Sequence, residues 1–152
     1  MGGNGKKRKN GRPYWAKWDD EELLDLRFKD LGLRLEGTWL VDVIELLERE
    51  LERRNIRFRP HFLLSREWFS PGGLPGVAVP FYLAHPRLMR LERSHMFEVE
   101  GGSREECLKI MRHETGHALQ HAYQLQRLRQ VARGWSQTAN VSAKSSTGWL
   151  CA

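Results

Sequence analysis

The run Ser103-Arg-Glu-Glu-Cys-Leu-Lys-Ile-Met-Arg-His-Glu-Thr-Gly-His117 decides how the rest of the chain is read. Ser103 with Glu106 three residues on forms a capping box, which predicts a helix starting near Arg104. No strong breaker follows before Gly134, so the helix is expected to reach near Arg133, with Gly116 a weak point inside it. Leu108, Met111, Thr115, Ala118 and Ala122 recur at three- and four-residue steps and make one apolar stripe. His113 and His117 lie well around the helix from that stripe. Such a helix can dock on a core and still present both histidines to a cleft.

His113-Glu114-Thr115-Gly116-His117 fits the pattern H-E-x-x-H. Four residues of an α-helix rise about 6 Å and turn slightly past one circle, so the two imidazoles stand one above the other and can converge on one ion. Zinc accepts neutral imidazole nitrogen at about 2.0 to 2.1 Å, and at catalytic sites it keeps a position for water. Glu114 would take a proton from that water as it attacks a peptide carbonyl, and pass it to the leaving amine. The expected cofactor is therefore zinc, with His113 and His117 as ligands, Glu114 as the catalytic carboxylate, and a peptide or protein as substrate.

A third protein ligand is harder to place. No Asp or Glu follows Glu114, and the longer metzincin pattern needs glycine and histidine where this chain has Gln120 and Tyr123. His121 stands four residues after His117, but it lies about 12 Å along the axis from His113, too far for all three to share one ion. The residue after His117 is Ala118 where a second glutamate would be needed. His85, His95 and Cys151 remain as candidates.

Working outward, Asp19 to Glu22 put negative charge at the start of a short helix that Gly32 is expected to end. Thr38 is expected to cap a longer helix to about Arg54, with Trp39, Leu40, Val43, Leu47 and Leu51 as its core stripe. Ile56 to Leu64, interrupted by Pro60, reads as a strand. Val77 to Leu83 reads as a second, with Pro80 favouring an edge or a bulge, and His95 to Val99 as a third. The loop Ser70-Pro-Gly-Gly-Leu-Pro-Gly76 is turn-forming chemistry. Residues 1–13 and 134–152 have no apolar periodicity and read as tails, leaving 14–133 as one domain.

The chain has 152 residues, with 25 Lys and Arg against 19 Asp and Glu, a formal net charge of +6. Residues 1–12 hold five of the bases and 118–152 hold four, with no acid in either stretch. The part between has 16 bases and 19 acids, a net of −3, so the domain itself is not basic and nucleic acid is not an expected partner. Two cysteines make no disulfide framework, and no apolar run is long enough to span a bilayer. These features predict a soluble, cytoplasmic protein without a membrane partner.

Several ordered blocks carry a more specific likeness. Arg59-Pro-His-Phe62, Leu64-Ser-Arg-Glu-Trp-Phe-Ser-Pro71, Pro80-Phe-Tyr-Leu-Ala-His-Pro-Arg-Leu88, Glu98-Val-Glu-Gly-Gly102 and Arg112-His-Glu-Thr-Gly-His-Ala118 resemble a bacterial family of zinc-binding metallopeptidases, over roughly Tyr14 to Leu125. The resemblance implies a zincin-like α+β fold: a small sheet with an active-site helix carrying H-E-x-x-H. It implies the same roles for His113, His117 and Glu114, and a substrate peptide paired to a sheet edge formed by Val77 to Leu83 or His95 to Val99. Family members continue into an acidic, aromatic-rich region with a Phe-Ala-Glu-Thr-Phe-like helix, the expected source of the third ligand. Gln126 to Ala152 is instead basic and acid-free, and reads as the ending of a truncated or frameshifted frame. The competing expectation is a non-catalytic module that holds a metal or a partner.

Overall fold

The structure is a computed structural model and describes residues 13–125 and 127. Its class is α+β. Among the described residues four α-helices, α1 (Asp20–Leu24), α2 (Trp39–Arg53), α3 (Pro86–His95) and α4 (Arg104–Ala122), surround two strands, β1 (His61–Ser65) and β2 (Gly76–Pro80). Short 3₁₀ turns at Tyr14–Lys17, Phe28–Leu31 and Phe81–Ala84 complete the path.

β2 lies at the centre because all five of its residues are buried. It pairs in parallel with β1, Leu63 opposite Ala78. A parallel strand turns alternate N–H and C=O groups to opposite sides. On the side away from β1, the Ala78 N–H donates to Phe69 O at 2.8 Å and the Phe69 N–H to Ala78 O at 3.4 Å. β2 is thus occupied on both sides at Ala78. With two strands each is an edge of the sheet: β2, within the expected Val77 to Leu83, packs on α4 but is buried along its length, and His95 to Val99 forms no strand among the described residues.

The helices that cover β2 are amphipathic for identifiable reasons. α2 buries Leu40, Val43, Leu47 and Leu51, and α4 buries Cys107, Leu108, Met111, Thr115 and Ala118. α4 packs on both α2 and β2. Two indoles pin the surrounding turns: Trp15 donates to Leu31 O at 2.9 Å and Trp39 to Leu83 O at 2.8 Å. Trp15, Met111, Val77, Val79 and Leu83 meet in the same fully buried cluster.

Several boundaries differ from expectation. The first helix stops at Leu24, and Gly32, at φ +57°, ends a separate 3₁₀ turn. Thr38 precedes α2 but does not cap it; its hydroxyl donates backward to Leu35 O at 2.6 Å. The second strand ends at Pro80, which has no N–H to continue a ladder, and Phe81–Ala84 turns away. The third strand is absent among the described residues, because His95 closes α3 instead. His85 accepts from Arg87 N through Nδ1 at 3.2 Å, and Pro86 at the first helical position starts that helix.

α4 also ends early, at Ala122 rather than near Arg133. Tyr123 leaves the helix to donate to Arg57 O at 3.2 Å and to pack against Phe58, and Gln124 takes φ +49°. The expected continuation beyond Arg127 and the tails 1–12 and 134–152 lie outside the described residues. Among the described residues no helix is long and apolar enough to cross a membrane.

Candidate metal centre

Ser103 accepts from Glu106 N at 3.2 Å, which starts α4 at Arg104; this is one half of the expected capping box, the Ser103 N–H not being bonded to the Glu106 carboxylate. Met111, Thr115 and Ala118 then fix its inner face, and the outer face follows from helical periodicity. His113 and His117 are both exposed there, and Glu114 is half-buried between the outer and inner faces. The His117 Nε2 and His113 Nε2 atoms approach to 3.1 Å, with the rings nearly perpendicular at 82°. One ring must donate and the other accept for that contact to be favourable, so at least one imidazole offers a lone pair.

This spacing can be tested against zinc. Two nitrogens about 2.0 to 2.1 Å from a tetrahedral ion lie roughly 3.3 Å apart. The observed 3.1 Å is close to that separation, and both rings lead with Nε2. The separation permits both nitrogens to share one ion, and equally an N–H···N hydrogen bond between the rings.

The structure does not bring a third ligating side chain to them. Among the described residues no three His, Cys, Asp or Glu side chains form a group able to hold a metal. His85 is engaged elsewhere: it caps α3, stands edge-on to Trp15 at 4.7 Å, and burial lowers its pKa. His95 ends α3 with Nδ1 3.3 Å from Ser94 Oγ. His121 is exposed in the last turn of α4. Cys107 is buried in the core on the inner face of α4, and desolvation pushes its thiol up to about 12. Cys151 lies outside the described residues.

The sequence reading missed what holds this helix against its neighbour. Arg112, immediately before His113, donates a fork to Glu50 on α2, Nε to Oε2 at 2.8 Å and Nη2 to Oε1 at 2.6 Å. The Arg112 guanidinium holds the Glu50 carboxyl below its ordinary range. Both side chains are partly solvated, so the pair contributes about 0 to 1 kcal/mol and adds a directional tie between α2 and α4 to the apolar packing that sets the helix's orientation. A charge pair between helices 62 residues apart leaves no local signal in the sequence.

Among the described residues two hollows border α2. One of about 220 Å³ sits between α2 and α4, against Leu47, Leu51, Ile56, Thr115, Gly116 and Leu119. Another, of about 490 Å³, lies around the C-terminal end of α2 and the segment Asn55 to Arg59. Neither is lined by His113, Glu114 or His117. Comparison of the chain with known proteins gives no match to a family model, a curated protein or a solved structure.

Proposed function

We propose that the chain is a zincin-like metallopeptidase domain, in which His113 and His117 hold zinc and Glu114 is the carboxylate for peptide hydrolysis. The observation that carries this reading is the 3.1 Å approach of the two Nε2 atoms on one exposed helical face, with a glutamate between the two histidines in sequence. The likeness of the ordered blocks to zinc-binding metallopeptidases is a resemblance of sequence only, and no family model matches the chain. Bound zinc would polarise a substrate carbonyl and make water more acidic. Glu114 would accept the proton released from attacking water and return it to the leaving amine. The Arg112–Glu50 fork and the buried stripe of α4 keep the two imidazoles in register while that transfer occurs.

Two ligands are fewer than the three protein ligands of an ordinary catalytic zinc site. Ligands fixed by the fold are what make zinc binding favourable over hydration, so retention by a single chain should be weak and hydrolysis slow. That shortage favours the second reading, a module that holds metal without turning over substrate. The deciding experiment pairs zinc bound at equilibrium in zinc-containing buffer with hydrolysis of an unstructured protein such as casein. Slow hydrolysis that is lost in Glu114→Gln, with zinc still bound, supports the peptidase. Zinc bound equally by both proteins with hydrolysis in neither leaves the metal-holding module, and no zinc in either removes both readings.

A further inference from the structure

Among the described residues the two histidines present an incomplete ligand set to solvent. Zinc takes four ligands. Among the described residues no third His, Cys, Asp or Glu joins His113 and His117. Residues 1–12, 126 and 128–152 contain no His, Asp or Glu, and their only cysteine is Cys151. Both imidazoles stand on the face of α4 opposite the residues it buries, and both are exposed. A ligand set left half-filled on an exposed helix face can be filled by the same face of another chain.

We propose that zinc joins two copies of this chain through α4, each copy supplying His113 and His117. Two-fold symmetry supplies four equivalent imidazoles from one surface, because a symmetric contact uses the same residues on both sides. The 3.1 Å separation within each pair is close to that of two nitrogens on one tetrahedral ion, so turning the rings, without moving the helix, can aim both at it. His121 stays out of the set, being one turn beyond His117 along α4. Glu114 is half-buried on the flank of the helix and is not needed as a ligand. The inference rests on the reading that His113 and His117 bind zinc, but not on peptide hydrolysis. A closed set of four imidazoles leaves no position for water, so the paired form would be the silent one.

Sedimentation equilibrium of the full chain, with and without zinc chloride, tests this together with the zinc-to-chain ratio. The expected result is 17.8 kDa in chelator and twice that mass in zinc, with one ion per two chains and reversal on adding chelator. His117→Ala and His113→Asn should each abolish the mass change; both positions are exposed, so neither substitution touches the core. Glu114→Gln and His121→Ala should leave it intact. A monomer holding one zinc per chain would overturn the pairing while leaving the metal reading of α4 standing. Pairing that persists in chelator, or that survives His117→Ala, would also overturn it. Absence of any zinc binding would remove both.

Discussion

Gly101 stands two residues before the cap of α4, at φ +76°, and a Cβ built there would lie 2.8 Å from Trp68 Cζ2 and 3.3 Å from Leu83 Cδ1. Gly101→Ala therefore meets two separate costs. The left-handed backbone is worth about 1 to 2 kcal/mol against an L side chain. Forcing a methyl into a packed indole and leucine adds about 1 to 3 kcal/mol. The sum, about 2 to 5 kcal/mol, is a large fraction of a typical domain's stability. With a urea slope of about 2 kcal/mol per molar, a loss of about 3 kcal/mol lowers the midpoint by about 1.5 M. Gly116→Ala supplies the comparison, because a Cβ there meets nothing within 4 Å inside regular helix. It should raise stability by about 0.5 to 1 kcal/mol. Urea unfolding followed by circular dichroism measures both. A midpoint for Gly101→Ala within a few tenths molar of the parent, or a similar loss at both positions, would refute the reasoning.

Thr115 buries its hydroxyl with no hydrogen-bond partner, at 2% exposure. Thr115→Val removes that unpaired group at nearly constant volume and should raise stability by about 1 kcal/mol; destabilisation of that size would mean the hydroxyl has a partner. His85 sets a pH dependence. Burial lowers its folded pKa, so as pH falls through about 6.5 the unfolded chain takes up a proton that the folded chain resists. Stability from this group is complete above that pH, declines as pH falls, and levels off below the depressed folded value. His85→Asn, which keeps a capping acceptor but does not titrate, should flatten the decline between about pH 7 and 5 in thermal melts. An unchanged slope would place the pH dependence elsewhere. Glu50→Gln breaks only a partly solvated fork and should cost at most about 1 kcal/mol by urea unfolding; a larger loss would show that the pair does more than add a tie between α2 and α4.

The parts of the fold legible in the sequence are those set by local periodicity. α2 follows from Leu40, Val43, Leu47 and Leu51, and the start of α4 from Ser103 and Glu106. α3 was hidden because its decisive signal is His85 acting as a cap, a role normally read from Ser, Thr, Asp or Asn. The end of α4 was hidden because Tyr123 is drawn away by Arg57 and Phe58, which are over 60 residues earlier. β2 was read too long because Phe81, Tyr82 and Leu83 continue its apolar run, while the turn depends on Pro80. For the candidate site, spacing alone placed His113 and His117 on one face. The Arg112–Glu50 fork that ties that helix to α2 is a tertiary contact and could not be read locally.

The central claim is that His113 and His117 together hold zinc, and it is tested most directly by competing the full chain against a chromophoric chelator. The account predicts that the parent protein withdraws zinc from the dye, that His113→Ala and His117→Ala each lose this capacity, and that His121→Ala retains it. Equal zinc uptake by the parent and by the His113→Ala and His117→Ala variants, or no uptake by the parent, would contradict it.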